Sequence, residues 1–226
     1  MQKIKPDFVL IDLDGTLIDS VPDLAYCVDD MMVQLGLPKR GQEAVRNWVG
    51  NGVQRLTERA LVNSVEGIPS SALMDKAYPI FLELYQQNNS QRSQVYEGVL
   101  EGLSWLKDNG YRFGCVTNKA EAFTIPLLKN KGLFELFEVV VSGDTCLEKK
   151  PHPMPLLHAA KLMGVSPGNV LMIGDSRSDV KAARAAGFPV FCLTYGYNHG
   201  EDIRDYQPDV VMDSFMELPN YLEAIS

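Results

Sequence analysis

Asp12 and Asp14 stand one residue apart in Phe8-Val9-Leu10-Ile11-Asp12-Leu13-Asp14-Gly15-Thr16, where an apolar run ends. Residues two apart in an extended chain project to the same face, and Gly15 lets the backbone turn there. Two carboxylates aimed at one place repel unless a proton or a cation lies between them. The segment therefore points to metal chemistry or acid–base catalysis. Three further polar groups close apolar runs: Thr117-Asn118, then Lys150 in Lys149-Lys150-Pro151-His152-Pro153, then Asp175 and Asp179 in Ile173-Gly174-Asp175-Ser176-Arg177-Ser178-Asp179. Singly, each has an ordinary explanation. Asp-Gly is frequent in turns, Thr117-Asn118 and Asp175 suit helix caps, and two adjacent lysines suit a charged surface. Together, at the ends of successive strands, they describe one ligand site. Pro151-His152-Pro153 restrains the backbone beside Lys150, so Lys150 rather than Lys149 is the expected buried lysine.

The elements that must position these groups are legible as alternation. Apolar runs at Phe8 to Leu13, Tyr111 to Val116, Phe137 to Val141, Val170 to Ile173, Val190 to Leu193 and Val210 to Met212 read as buried strands. Helical patterns over Val99 to Asn109, Ala122 to Lys131, Pro153 to Met163 and Ser178 to Ala186 separate most of them. The fold class is α/β, with a doubly wound, parallel, Rossmann-like core. Such sheets bind ligands at their carboxyl edge, beside the reversal of strand order. The first crossover is too long for that unit. It shows no convincing strand and four helical stretches: one from Ser20-Val21-Pro22-Asp23, read as a capping box, towards Gly36, then Gly41 to Val49, Val53 to Asn63, and Ser71 to Gln87 around Pro79. The expected division is a catalytic core of residues 1–17 and 95–226 with a helical cap domain inserted over 18–94.

A chain of 226 residues with 46% apolar content can build a substantial core. Its net charge of -8 argues against a nucleic-acid partner, which would need a basic stripe. An anionic substrate stays open, because a bound divalent cation reverses the local sign. No secretory signal or bilayer-length apolar stretch is visible. Cys27, Cys115, Cys146 and Cys192 are scattered without a CxxC, as in a reducing compartment. The expectation is a cytoplasmic protein with no membrane partner, monomeric or homodimeric.

The four groups resemble the four motifs of the haloacid dehalogenase-like superfamily: Asp-Leu-Asp-Gly-Thr at 12–16, Val-Thr-Asn at 116–118, Lys-Pro-His-Pro at 150–153 and Gly-Asp-Ser-Arg-Ser-Asp at 174–179. The resemblance covers nearly the whole chain, including a cap after the first motif. More narrowly, Val49-Gly50-Asn51-Gly52, Lys149 to Pro153 and Leu193 to Asn198 are similar to the phosphoglycolate phosphatase family. Glu97 and Ala120 depart from it, at positions where relatives often have proline. The resemblance implies a Mg²⁺-dependent phosphomonoester hydrolase acting on a small organic phosphate, with 2-phosphoglycolate the first candidate. It implies Asp12 as nucleophile, Asp14 as acid and base, and Thr117 with the Asn118 backbone on the phosphoryl oxygens. It implies Lys150 as charge balance, and Mg²⁺ held by Asp12, Asp175 and the Asp14 carbonyl. Asp179 would orient Lys150 or a metal-bound water. In the cap, Asn51 and Gly52 suit a substrate-facing loop, while Arg46 and Arg55 could grip a substrate carboxylate or simply face solvent. The alternatives are a broad sugar-phosphate or nucleotide phosphatase, a phosphosugar mutase, and a non-catalytic module that binds phosphate and metal.

Overall fold

The computed structural model describes residues 3–225. Strand β1 (Phe8–Ile11) leads through a two-residue strand β2 (Ile18–Asp19) into four helices: α1 (Val21–Gln34), α2 (Gly41–Trp48), α3 (Val53–Val62) and α4 (Ser71–Asn88). Strand β3 (Gln94–Val95) returns antiparallel to β2. Then follow α5 (Val99–Asp108), β4 (Arg112–Val116), α6 (Glu121–Asn130), β5 (Val140–Val141), α7 (Met154–Met163), β6 (Val170–Gly174), α8 (Arg177–Ala186), β7 (Val190–Leu193) and β8 (Val210–Met212).

Six strands form one parallel sheet in the order β5-β4-β1-β6-β7-β8. Its central strands are buried on both faces, which is why they read as unbroken apolar runs. Alternate residues feed opposite layers. Val9 and Ile11 of β1 join Leu171 and Ile173 of β6 in one apolar cluster, whereas Phe8 and Leu10 join Val170 and Met172 in the other. Helix ends follow local chemistry. Ser176 and Asp179 form a capping box at the start of α8, and Gly187, in the left-handed region, ends it.

Helices α1 to α4 gather a third apolar cluster that includes Val28, Met31, Leu56, Phe81 and Tyr85. Phe123 of α6 enters the same cluster, its ring centroid 4.7 Å from that of Tyr85. The helical unit meets the sheet through the β2–β3 ribbon. Two-residue strands are too short to leave a periodic pattern, so the sequence shows no strand there.

One expectation is corrected at this junction. Ser20 makes no capping bond to α1, and its hydroxyl is buried without a partner. Asp23 serves the other chain crossing the junction instead. It accepts from the Arg92 amide (2.8 Å), the Ser93 amide (2.8 Å) and the Ser93 hydroxyl (2.5 Å). Those amides lie just before β3 and have no ladder partner, so the buried carboxylate is worth more to them than to the helix start.

Asp23→Ala would strand those donors and is expected to lower the unfolding free energy by about 3 kcal/mol. Ser20→Ala removes an unpaired hydroxyl and should change it by less than about 0.5 kcal/mol. Urea unfolding of both variants checks the contrast.

Candidate active site

Strands β1 and β6 are neighbours, yet the chain leaves them in opposite directions, towards β4 and β5 on one side and β7 and β8 on the other. A crevice opens at the carboxyl ends of two strands so placed. The Asp12 amide donates to the Ile173 carbonyl (2.9 Å), which carries the pairing one residue past β1. Asp12 and Asp175 therefore stand side by side.

Lys150 reaches in from the segment after β5. Its ammonium lies 2.8 Å from Asp12 Oδ1 and 2.6 Å from Asp179 Oδ1, and donates to the Val116 carbonyl at 2.9 Å. Three acceptors match its three N–H bonds. Lys150 is buried and Lys149 exposed. Asn118 holds this segment in place. Its Oδ1 accepts from the Lys150 amide (2.9 Å), and its Nδ2 donates to the Lys150 carbonyl (2.9 Å) and the Gly50 carbonyl (3.1 Å). Asp179 is likewise committed: beyond Lys150 it accepts from the Ser176 amide (3.1 Å) and hydroxyl (2.7 Å).

Asp175 is gripped on both oxygens, by the Thr16 hydroxyl (2.7 Å) and the Tyr197 amide (2.6 Å). This crowding explains two glycines. A Cβ at Gly15 or Gly196 would lie 2.3 Å from Asp175 Oδ2. Asp14 turns to Lys119, whose ammonium donates to its oxygens at 3.0 and 3.2 Å. Thr117 Oγ1 accepts from the Lys119 amide (3.1 Å).

Carboxylate oxygens of Asp12, Asp175 and Asp179 lie within 4.8 Å of one another. Burial raises the Asp12 carboxyl to about 7, with Lys150 opposing and Asp179 adding to the rise. Asp175 is also held well above the ordinary carboxylate range, by burial first and then by Asp179 and Asp12. Lys119 and Lys150 are raised as well, with the opposite consequence for charge. Burial would lower them, but Asp14 and Asp12 respectively outweigh it and hold both ammonium groups charged. Clustered, desolvated carboxylates are a donor set that a hard divalent cation fits. Asp12 and Asp175 can supply ligand oxygens, while Asp179 is already taken by Lys150 and the start of α8.

The cavity above this cluster is lined by Asp12, Asp14, Thr117, Asn118, Lys119, Lys150 and Asp175, and by Leu24, Val49, Gly50, Gly52, Val53 and Leu56 of the helical unit. Its volume is about 50 Å³, space for several waters or one small ligand. Gly52 lines it. Asn51, Arg46 and Arg55 do not, which corrects the expectation of substrate-facing side chains there. Asn51 Oδ1 accepts from Arg59 (2.8 Å). Arg46 pairs with Asp19 (3.0 Å) and lies over the Tyr197 ring. Arg55 binds Glu58 (2.7 Å) and the carbonyls of Val65 and Gly67. Both arginines find acceptors at the margins of the helical unit, and a satisfied guanidinium gains nothing by reaching further. The reading missed Lys119, Thr16 and Tyr197. Lys119 had a signal, since it directly extends Thr117-Asn118. Thr16 closes the Asp-Leu-Asp-Gly-Thr motif, and Tyr197 lies in the Leu193 to Asn198 segment, but neither position by itself names a contact with Asp175.

The model of the haloacid dehalogenase-like hydrolases matches residues 9–193. The chain belongs to that family. It is 62% identical to a phosphoglycolate phosphatase of Nitrosococcus oceani over 96% of this chain and 97% of that one. It is 46% identical to one of Thiobacillus denitrificans over 92% of each chain. A crystal structure described as a predicted phosphoglycolate phosphatase from Haemophilus somnus superposes with a TM-score of 0.90 at 33% identity, covering 96% of this chain and 98% of that one. Phosphatases of the haloacid dehalogenase-like family generally use a divalent metal, in keeping with the acidic cluster. Among the described residues, no helix is long and apolar enough to cross a membrane.

The raised carboxyls of this haloacid dehalogenase-like hydrolase set a pH dependence. A folded-state pKa above the unfolded value gives stability that is present below 3.8 and lost as pH rises through about 7. A cation that binds the ionised pair reverses the loss. Millimolar MgCl₂ should therefore raise the melting temperature by several degrees near pH 8 and much less near pH 5, measured by calorimetry after chelation.

Proposed function

We propose that this protein is a Mg²⁺-dependent phosphomonoesterase that hydrolyses 2-phosphoglycolate to glycolate and phosphate through an aspartyl-phosphate. The observation that carries the reading is Asp12 on the cavity wall, held 2.8 Å from Lys150 and beside Asp175. The named relatives and the small cavity support the choice of substrate. Mg²⁺, held by Asp12, Asp175 and the Asp14 carbonyl, would supply the positive charge that lets an anionic nucleophile meet an anionic phosphate.

An Asp12 oxygen attacks phosphorus, and the bond from phosphorus to the ester oxygen breaks. Asp14 gives its proton to the departing oxygen, then takes one from the water that attacks the aspartyl-phosphate. Phosphate leaves and the Asp12 carboxylate is restored. Lys150 opposes the rise that burial imposes on the Asp12 carboxyl and balances the phosphoryl charge. The Thr117 side chain and the Asn118 amide bind the phosphoryl oxygens. Residues 18–94 act as a cap on a core of residues 1–17 and 95–226, moving about the β2–β3 ribbon and excluding water when closed.

Asp12→Asn is expected to reduce kcat by about 10⁴-fold or more and to shift the melting temperature by less than about 5 °C. Phosphate release and calorimetry measure the two effects. Chelation should abolish turnover and MgCl₂ restore it. Phosphorus NMR should show inorganic phosphate as the phosphorylated product, whereas a transferred phosphoryl group would mark a mutase. A well-folded protein that releases no phosphate from any small ester would sink the proposal.

A further inference from the structure

A substrate with two anionic groups needs a second cation, and the cavity shows which one it has. Arg46 and Arg55 are held away from the cavity by Asp19 and by Glu58. Lys149 is exposed at the rim, near Gly52. Of the residues lining the cavity, only Lys119 and Lys150 are cationic. All three N–H bonds of Lys150 are engaged, by Asp12, Asp179 and the Val116 carbonyl. Lys119 differs. Its side chain is 2% exposed, and its ammonium donates to both oxygens of Asp14, with the Tyr85 ring 5.0 Å away and the buried Tyr85 hydroxyl facing it without a close hydrogen bond. At most two of its three N–H bonds serve that carboxylate. Its backbone is anchored, since its carbonyl accepts from the Gly143 amide (2.7 Å) and the Thr124 hydroxyl (3.1 Å). The ammonium is thus a positioned cation with donor capacity to spare.

We infer that Lys119 is the specificity-determining residue that binds the second anionic group of the substrate, the carboxylate of a short phosphorylated acid. The inference rests on the proposed hydrolysis, in which Asp14 meets the ester oxygen. In a two-carbon phosphorylated acid, one carbon separates that oxygen from the carboxylate. A cation 3.0 Å from Asp14 therefore lies within reach of the carboxylate while Asp14 addresses the leaving oxygen. The same geometry sets a length limit: an acid with a longer spacer places its carboxylate beyond Lys119.

The test compares kcat/KM for 2-phosphoglycolate and for ethyl phosphate, a two-carbon ester without the carboxylate, in the wild-type protein, Lys119→Met and Lys119→Arg. In Lys119→Met the ratio of the two constants should fall about 10- to 100-fold, the range for losing a hydrogen bond to a charged group, with KM for 2-phosphoglycolate carrying most of the change. Lys119→Arg should keep part of the preference, because the charge remains. An equal loss for both esters in Lys119→Met would assign Lys119 to Asp14 alone and overturn the inference. A wild-type protein that hydrolyses ethyl phosphate but not 2-phosphoglycolate would instead overturn the substrate choice before any variant is made. Should Lys119→Met fail to fold, inhibition of the wild-type enzyme by 3-phosphonopropionate, in which a methylene replaces the ester oxygen, against propylphosphonate decides. Equal inhibition by the two would also overturn the inference.

Discussion

Everything at the carboxyl edge of the sheet answers to the burial of negative charge where β1 and β6 lie side by side. Asp12, Asp175 and Asp179 crowd into a space that water barely reaches. Leaving such charges uncompensated costs several kcal/mol per ion. The fold responds with a buried ammonium on Asp12 and Asp179, with one backbone amide and a hydroxyl on Asp175, and with a capping box that gives Asp179 a second use. Two carboxyls stay raised even so. A bound cation would remove what burial imposes on that pair.

Two of these supports come from outside the strand ends, and they tie the site to the helical unit. The Tyr197 amide holds Asp175, while the Tyr197 hydroxyl donates to Asp19 in β2 and accepts from the Ser20 amide (3.0 Å). Arg46 of α2 pairs with Asp19 (3.0 Å). The Asn118 side chain spans the same gap, with bonds to Lys150 on one side and to Gly50 on the other. The arrangement of the helices and the geometry of the carboxylates are therefore linked through a few hydrogen bonds. An α/β sheet alone would hold Asp12 and Asp175, but not the roof that makes a cavity of them.

Selectivity follows from the same economy. The helical unit contributes mostly apolar side chains and glycine backbone to the cavity, since its arginines spend their donors within their own surroundings or at the ribbon. Charge inside the cavity comes from the sheet side, and hydrophobic closure comes from the helices.

Local patterning sufficed for the six strands of the parallel sheet, for most helix boundaries and for the four polar groups, because those features are written at short range. Buried parallel strands need unbroken apolar runs, helices need their period and caps, and motif residues lie at strand ends. The sequence also singled out Lys150 over Lys149, through the prolines that follow it. What it left open depended on contacts between distant segments. Ser20 looked like a cap until Arg92 and Ser93 competed for Asp23. Arg46 and Arg55 looked available until Asp19, Glu58 and two carbonyls satisfied them. Lys119 had no stated role until the fold set it against Asp14, 105 residues away. A side chain's partners are chosen by whichever donors and acceptors the folded chain brings within about 3 Å, and only tertiary structure sets that competition.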